Sequence, residues 1–490
     1  MSTFESRLRE LVTGIRRDPR DVELQTQLAE WLDAHAPQFH AWLSPNLLTF
    51  GVAPDKIPRR IQFIKHLLLQ GYLPPRVEEA ADAAESDETV NVGVITGYFY
   101  PHALSLLEAG LGRSDVHVFV SYPGTSSSEQ WVEIERGSEG AAVMLRSALV
   151  LEDDSLVFRR FATPVPVHYL FPVDNYYRSK FHLVTKYAGC DVPMPGSAII
   201  REVCEDKLLL NEIAGNVPGL RLARELALVR GQGEAERAAA LDRFCAEHAL
   251  HALVSKPVDA FGGTGVEFWR YPDDREALLE HLRDALTART AMLVQERIFA
   301  VPTVDGREWN LRQYVLRRAP DTIMAPWKRV RIGHGVINTT RGVQSMTVAQ
   351  LLGEIRLEGS RQAAFEAVLR ATDDLAAEVM RALDRYLERT WGHGKHAYLG
   401  SGSNLEADLL ALDFMIAEAP ELPAGYAVYL NEINDFASGG MRDYEVLAHR
   451  QAFPDADRIV ARHPFSLAPQ ILETARWRGR AHKRALGYRL

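Results

Sequence analysis

The stretch YAVYLNEINDFASGG, residues 426–440, decides the fold of the C-terminal half of the chain. Its alternating apolar residues deliver Glu432 and Asn434 two positions apart, so both side chains are expected on one face of a strand. A turn-prone Asn-Asp step and a Gly-Gly pair then end the strand. Two oxygen-bearing side chains at a strand end suit a Mg²⁺ ion held against phosphates. A sheet edge with a polar face and a glycine turn would give the same pattern, so the stretch alone leaves both interpretations open.

The bulk properties favour an ordinary globular protein with several domains. The chain has 490 residues, of which 47% are hydrophobic and 25% charged, and its net charge is −9. This length allows two to four domains, and the mild acidity argues against nucleic acid as the main partner. The cysteines, Cys190, Cys204 and Cys245, show no CxxC spacing and fit a reducing cytoplasm better than a disulfide framework. The polar N-terminus and the lack of a long apolar run predict a cytoplasmic protein with neither a signal peptide nor a membrane span.

The order of hydrophobic patterns predicts an α/β protein. Helical periodicity fills the N-terminal part, and its acidic, alanine-rich end over residues 77–89 is expected to be an exposed helix or linker. Strand, helix and strand patterns over residues 90–122 then predict a parallel βαβ unit. The predicted segments are 1–90, 91–200, 201–300, 301–450 and a basic helical tail, 451–490.

A lysine followed by a glycine-rich loop forms the second informative stretch, ALVSKPVDAFGGTGVEFW. Lys256 ends a predicted strand, and Gly262, Gly263 and Gly265 would let backbone N–H groups approach an anion closely. The lysine precedes the glycines and the loop joins two strands, which excludes a P-loop. The loop after the strand ending at Gly97 lacks the dinucleotide fingerprint. Because glycine-rich hairpins near lysines are common, phosphate binding is one of two interpretations here.

Several charged residues lie where their predicted element makes a charge costly. Asp206 is the predicted cap of a helix, and Lys207 in its first turn is unfavourable near the helix dipole unless it reaches an anion. A solvated surface lysine is the alternative. Asp413 interrupts the apolar strand LLALDFMIAE and therefore needs a cationic partner or a metal. Basic side chains also occur along the tail, where a solvated face or an acidic partner would explain them. A second group of basic side chains lies on a strand around Asn338. The strand residues are Lys328, Arg329, Arg331 and Arg341.

Taken in order, these pieces resemble the ATP-grasp superfamily of carboxylate–amine ligases. The resemblance rests on the ordered set DK, SKP…FGGTG, QERI, GREWNLRQYV, the arginine-rich strand, LALDF and NEIND, over residues 200–445. It implies an α/β (α+β) ATP-grasp fold, with a Rossmann-like pre-ATP-grasp domain at 91–200 and a lid and a catalytic subdomain at 201–300 and 301–450. The helical extension, 1–90, and the overall length resemble, more weakly, natural-product peptide ligases of the pheganomycin type.

The resemblance also implies roles for the residues that match the family's motifs. The residues expected to contact phosphates are Lys207 and Lys256, under a lid formed by Gly262, Gly263 and Gly265. The residues expected at adenine and ribose are Gln295, Glu296, Ile298 and Glu308. The residues expected at the reacting groups are Arg312, Arg331 and Asn338. The expected Mg²⁺ ligands are Asp413, Glu432 and Asn434.

The implied reaction is the ADP-forming synthesis of an amide or peptide bond through an acyl-phosphate. ATP and two Mg²⁺ ions, for which Mn²⁺ can substitute, are the implied cofactors. The expected substrates are a small carboxylate and an amine, amino acids and peptides included, in bacterial small-molecule or peptide biosynthesis, with no nucleic-acid or membrane partner. A phosphotransferase on the same fold and a non-catalytic ATP-binding module are the alternatives. The substrates, the general base and the oligomeric state stay open, although the N-terminal helices could pair in a homodimer.

Overall fold

The structure is a computed structural model. It describes residues 3–18, 21–49, 64–65, 67–69, 71–73, 76–80, 88–96, 101–121, 131–136, 141–152, 155–173, 187, 189–258, 263–337, 343–355, 357–392, 405–435 and 467–486. The helices are α1 (Thr3–Arg17), α2 (Val22–Ala34), α3 (Ala36–Thr49), α4 (Pro101–Gly110), α5 (Ala198–Glu205), α6 (Leu210–Ala214), α7 (Glu234–His248), α8 (Arg275–Ala288), α9 (Val348–Ile355), α10 (Gly359–Trp391) and α11 (Ala468–Ala485). Within these ranges, no helix combines the length and the apolar character needed to cross a membrane.

The strands belong to three sheets, and the predicted α/β fold class is confirmed. The N-terminal sheet contains β1 (Arg76–Ala80), β2 (Val90–Thr96), β3 (Val116–Ser121), β4 (Val132–Arg136), β5 (Ala141–Glu152), β6 (Ser155–Pro166) and β7 (Tyr169–Val173). The small sheet contains β9 (Glu225–Val229), β10 (Ala252–Pro257), β11 (Glu267–Arg270) and β12 (Ala291–Glu296). The central sheet contains β8 (Leu220–Leu222), β13 (Glu308–Ala319), β14 (Thr322–Gly333), β15 (Gln344–Met346), β16 (Leu409–Glu418) and β17 (Tyr426–Asn434).

The central sheet has the strand order β15-β14-β13-β16-β17-β8 and is antiparallel except for the β17–β8 pair. Its apolar face packs against the long helix α10, and the core between them includes Leu311, Phe414 and Leu383. Side chains alternate between the two faces of a strand, so the neighbours of these apolar residues face the other way. The second face of the central sheet is polar around Arg312, whereas further along β13 the side chains of Tyr314 and Leu316 pack in the core shared with the N-terminal sheet.

The small sheet is antiparallel, with the order β11-β10-β12-β9. Helices α7 and α8 cover one face through a core that includes Leu241, Leu253, Leu282 and Val294. Each fully buried leucine or valine of this kind contributes about 1.5–3 kcal/mol of transfer free energy. The other face carries Lys256, as expected from the alternation of side chains along β10.

The N-terminal sheet confirms the predicted βαβ unit, because β2 and β3 are parallel and α4 connects them. Strand β7 adds a third parallel strand, whereas β4, β5 and β6 are antiparallel. The helix or linker expected over residues 77–89 is wrong at its start, because β1 pairs in parallel with β6. Glu78 lies opposite Arg159 in that pairing, and an acidic residue opposite a basic one stabilises a strand pair despite the alanine-rich composition.

Helix α11 joins the N-terminal sheet to the central sheet, since it contacts α4, β2, β7 and β13. The solvated basic face predicted for this helix is wrong for Arg478 and Lys483, which are mostly buried, whereas the side chain of Arg476 is 38% exposed. Arg478 Nη2 lies 2.7 Å from Asp408 Oδ1, and Arg476 Nη1 lies 3.0 Å from Asp115 Oδ2. The buried Lys483 donates a 3.1 Å hydrogen bond to the carbonyl of Thr89. Within the described part of the tail, Arg476 and Arg478 are thus paired with carboxylates of the same chain.

Candidate functional site

Three charged side chains lie in one row across neighbouring strands of the central sheet. Arg312 of β13 is opposite Asp413 of β16, and Asp413 is opposite Glu432 of β17. The register shifts after this last pair, because Phe414 pairs with Leu430 and Asn431 becomes the extra residue of a β-bulge. Leu430 lies in the core. The bulge therefore turns Glu432 and Asn434 from the core face to the polar face.

Arginines saturate most of the Asp413 carboxylate, which is 2% exposed. Arg312 donates to both oxygens, from Nε to Oδ1 at 2.8 Å and from Nη2 to Oδ2 at 2.9 Å. Arg331 places Nη2 at 2.7 Å from Oδ2 and donates its Nε–H to Asn310 Oδ1 at 2.9 Å. Burial alone would raise the pKa of Asp413, but the two arginines outweigh it and lower the pKa to about 2. Asp413 is therefore ionised at every physiological pH.

The segment after α5 presents Lys207 to the same row. Asp206 caps this turn by accepting a hydrogen bond from the Leu208 amide at 2.9 Å, which confirms the predicted cap. Lys207 Nζ lies 3.8 Å from Glu432 Oε1 and donates to the carbonyl of Val258 at 3.3 Å. Lys207 thus connects the central sheet to the small sheet at the point where the glycine-rich loop begins.

The polar face of the small sheet is built around Lys256, which is 7% exposed. Burial lowers the pKa of Lys256 to about 8, while Glu432 and Glu225 raise it and Lys207 lowers it further. Gln295 donates to Glu225 Oε2 at 2.8 Å on the neighbouring strand. Because Lys256 interacts with Glu432, the polar faces of the two sheets form the walls of one cleft. Glu225 is a cleft residue that the sequence did not predict; its only signal is a carboxylate at the start of an apolar strand.

The two sheets meet at the chain segment between β12 and β13. Arg297 forms an ion pair with Glu308 and stacks 4.0 Å from the ring centre of Phe268 and 4.8 Å from that of Phe299. The sequence did not predict Arg297, because Phe268 and Glu308 belong to two other strands, β11 and β13. Glu308, expected at the ribose, is paired with this arginine.

The other predicted residues at this junction border the same segment. Glu296 Oε2 accepts from the Arg224 amide at 3.4 Å. Ile298 follows Arg297 directly in the chain and is partly buried. Both therefore lie at the connection between the two sheets.

The glycine-rich loop is described only from Gly263 onward, and Gly262 lies outside the described residues, as does Asn338. Gly263 and Gly265 have φ angles of +71° and +73°, which side chains with a Cβ rarely adopt. A Cβ at Gly265 would also lie 2.9 Å from Pro257 Cγ. This loop conformation therefore requires glycine at both positions.

One residue of the arginine-rich strand does not face the cleft. Lys328 points to α10, where its Nζ donates to the Leu369 carbonyl at 2.6 Å and lies 2.8 Å from Asp373 Oδ1. The predicted cluster of basic residues is therefore wrong for Lys328, because adjacent residues of a strand face opposite ways and Arg329 lies on the other face. Arg341 lies outside the described residues.

The polar row offers oxygen atoms of the kind that Mg²⁺ binds. Asn434 donates its Nδ2 to the Ala411 carbonyl at 3.2 Å, so its amide oxygen is the atom available to a cation. Asp413 has about four lone-pair sites, and the arginines above use three of them. Within the described ranges, no group of three or more His, Cys, Asp and Glu residues is arranged to hold a metal. The oxygens of Asp413, Glu432 and Asn434 are of the types that Mg²⁺ binds, and those of Asp413 already accept hydrogen bonds from two arginines.

The chain is similar to solved structures of D-alanine–D-alanine ligases and of a macrocyclase, at 10–12% sequence identity. The D-alanine-D-alanine ligase from Coxiella burnetii is 10% identical, with 82% of this chain and 97% of that chain covered and a TM-score of 0.45. The D-alanine–D-alanine ligase from Bacillus anthracis complexed with ATP is 10% identical, with 81% and 100% covered and a TM-score of 0.40. Macrocyclase MdnC bound with precursor peptide MdnA, from Microcystis aeruginosa MRC, is 12% identical, with 78% and 98% covered and a TM-score of 0.42. No protein-family model and no curated protein sequence matches the chain.

Proposed function

We propose that this protein is an ATP-dependent ligase that joins a carboxylate to an amine and releases ADP and phosphate. The observation that carries the proposal is the state of Lys256. This lysine is 7% exposed, and among the residues that the structure describes no carboxylate lies within ion-pair distance of it. Glu432 and Glu225 only partly offset the cost of burying this ammonium group, since burial still lowers its pKa to about 8, so its position favours an anionic ligand in the cleft.

The charges around Lys256 support a polyphosphate as that ligand. Lys207 points into the same cleft, and Arg312 and Arg331 lie across it on the central sheet. Gly263 and Gly265 would let the backbone of the loop approach phosphate oxygens closely. Gly262 belongs to the same proposed lid. We assign the phosphates to the two lysines and this lid.

The adenosine part would lie where the two sheets join. Gln295 and Glu296 end the last strand of the small sheet, and Glu308 begins the first long strand of the central sheet. Together with Ile298 they form our proposed contacts to adenine and ribose. The pairing of Glu308 with Arg297 would then exchange for a bond to the ribose.

The proposed chemistry has two displacements. An oxygen of the substrate carboxylate attacks the γ-phosphorus of ATP, and the bond to the leaving ADP breaks. The amine nitrogen then attacks the acyl carbon, phosphate leaves with the carboxylate oxygen, and a proton passes to solvent. Arg312 and Arg331 stabilise the negative charge that develops on the transferred group, and Asn338 is proposed beside the reacting atoms. Orientation of both substrates in one cleft can contribute about 7–11 kcal/mol of barrier lowering.

Two Mg²⁺ ions, or Mn²⁺ in their place, complete the proposal. Asp413, Glu432 and Asn434 would hold them, and bound metal would neutralise phosphate charge. The pre-ATP-grasp, lid and catalytic units, at 91–200, 201–300 and 301–450, are likewise proposed as domains, with 1–90 and 451–490 as additions to them. We place the reaction in the cytoplasm, in small-molecule or peptide biosynthesis.

A release assay tests this function. The full chain is incubated with ATP and Mg²⁺ and with amino acids and small carboxylates, singly and in pairs, while ADP, AMP and phosphate are measured. A ligase releases ADP only when a carboxylate and an amine are both present. Lys256→Met should abolish the release. Arg221→Met, which removes an exposed ion pair with Glu421 at 2.9 Å, serves as the matched control and should leave it unchanged. ADP with a stable phosphorylated alcohol, or AMP, would contradict the proposal.

A further inference from the structure

A buried ion pair connects the end of β17 to helix α5. Arg201 Nε lies 3.3 Å from Asp435 Oδ2, and both side chains are 1% exposed. Glu205, one turn further along α5, lies 3.2 Å from the same guanidinium. We propose that the Arg201–Asp435 pair is a positioning element that sets the distance between Lys207 and Glu432. The inference rests on the proposed function, because it assigns Lys207 to phosphate and Glu432 to metal.

Each residue of the buried pair lies only a few positions along the chain from a residue of the cleft. Asp435 directly follows Asn434 and lies three residues after Glu432. Arg201 lies in the middle of α5, and Lys207 follows the end of that helix after the Asp206 cap. The same two segments are therefore joined twice, once in the interior and once in the cleft.

The two connections differ in strength. The cleft pair, Lys207 with Glu432, is 3.8 Å long, and its side chains are 11% and 28% exposed. The interior pair is shorter and almost entirely removed from solvent. Water screens the interior pair least, and its charges tolerate separation least, so this pair fixes how α5 lies against β17.

Movement of α5 would change the phosphate and metal positions together. Lys207 donates a hydrogen bond to Val258 at the start of the glycine-rich loop as well as approaching Glu432. A shift of α5 along β17 would therefore separate the loop, the lysine and the Glu432 carboxylate. The expected consequence is a loss of the coupling between metal and nucleotide binding, beyond any loss of stability.

ATP binding by calorimetry, with excess Mg²⁺ and with a chelator, tests the inference on the full chain. The variants are Asp435→Asn, which keeps the shape of the side chain, Arg201→Met, and Arg201→Lys, which keeps the charge. The control is Arg221→Met, which removes an exposed pair on the adjacent strand β8. Thermal unfolding is recorded for each variant. If Arg201→Met does not fold, the isosteric Asp435→Asn decides.

We expect Asp435→Asn and Arg201→Met to reduce the ratio of ATP affinities with and without Mg²⁺ at least tenfold. Arg201→Lys should restore part of that ratio, and the control should keep the ratio of the unmodified chain. A lower melting temperature with an unchanged ratio would overturn the inference, because it would show a purely structural role. If the unmodified chain binds no ATP under either condition, the proposed function fails, and this inference fails with it.

Discussion

Arg312 and Asp413 face each other on neighbouring strands β13 and β16 and form two parallel N–H···O hydrogen bonds of 2.8 and 2.9 Å. The pair lies at the centre of the polar row, and Arg331 approaches the same carboxylate from the next strand. A bidentate arginine–carboxylate pair fixes both side chains in direction as well as in distance. The positive charge of Arg312, which we propose to stabilise the phosphoryl group, is therefore in place before any substrate binds.

Asp413→Asn tests how strongly the protein depends on this row. The substitution leaves Arg312 and Arg331 without a buried counter-charge, so we expect a loss of about 3–5 kcal/mol in the free energy of unfolding. Urea denaturation measures the loss. Glu421→Gln, at an exposed pair with Arg221, should cost no more than about 1 kcal/mol. Equal stability of the two variants would contradict the assignment of Asp413 as the centre of a buried network.

The sequence predicts the strands of this site well but not the side on which their residues lie. The pattern in β17 places Val428, Leu430, Glu432 and Asn434 on one face if the strand is regular. The bulge at Asn431 divides that set, leaving the apolar residues in the core and sending the polar ones to the cleft. No local signal at Asn431 announces a bulge, because it arises from pairing with β16, more than ten residues earlier in the chain. The positions of the strands follow from the local sequence pattern, whereas the face of the sheet on which a side chain lies depends on the pairing with the neighbouring strand.

Glu432→Gln should leave the fold intact and abolish ATP turnover. The side chain is 28% exposed and keeps its size, so the melting temperature should change little, while the cleft loses one of the two carboxylates that we propose as metal ligands. Coupled-enzyme detection of ADP, with circular dichroism as the folding control, makes the comparison. Undiminished ADP release by this variant would exclude Glu432 as a metal ligand.

ATP affinity should fall as the pH rises through about 8, because the pKa of Lys256 is about 8 and its usual value is 10.5. A phosphate binds the charged lysine preferentially, so the dissociation constant should rise by up to about tenfold per pH unit above that value. Calorimetry between pH 7 and 9.5 measures the slope. Lys256→Met should bind ATP more weakly and show a flatter profile; the same slope in both proteins would mean that another group is responsible.

The same lysine gives an independent stability prediction. Its folded-state pKa lies below its unfolded-state value, so the unfolded chain binds more protons between pH 8 and 10.5. The contribution of Lys256 to the free energy of unfolding should therefore increase with pH across that window. Chemical denaturation of the ligand-free protein and of Lys256→Met separates this contribution from those of other groups. A difference between the two proteins that is independent of pH would contradict the lowered pKa.

Arg478→Met should destabilise the protein most at alkaline pH. It removes the nearest cation from Asp408, which is 1% exposed and whose pKa burial raises to about 6 against the opposing effect of Arg478. Below that pH the carboxyl group is protonated in the folded state, so the cost of the missing cation is smaller. We expect a loss of about 3–5 kcal/mol at pH 8 and a smaller loss at pH 5. Arg476→Met, at a pair that is 38% and 27% exposed, is the control, and equal effects at both pH values would contradict a buried network.

Long-range partners explain what else the sequence leaves undetermined. Because Asp413 lies in an apolar strand, the sequence predicts that its carboxylate needs a partner. The sequence does not identify Arg312 as that partner. Glu225 and Arg297 meet Gln295, Glu308 and Phe268 only because separate strands assemble side by side. The tail is the clearest case. Its basic composition is compatible with a solvated helix, and only the folded structure places Asp408 and Asp115 within 3.0 Å of Arg478 and Arg476.

An oxygen-tracer measurement tests the central claim most directly. A carboxylate and amine pair that supports ADP release is used with ¹⁸O in the carboxylate, and the released phosphate is analysed by mass spectrometry. Transfer of the γ-phosphate to the carboxylate predicts one ¹⁸O atom in each phosphate released with the amide. Phosphate without ¹⁸O, or a label recovered in AMP, would contradict an acyl-phosphate ligase in this cleft.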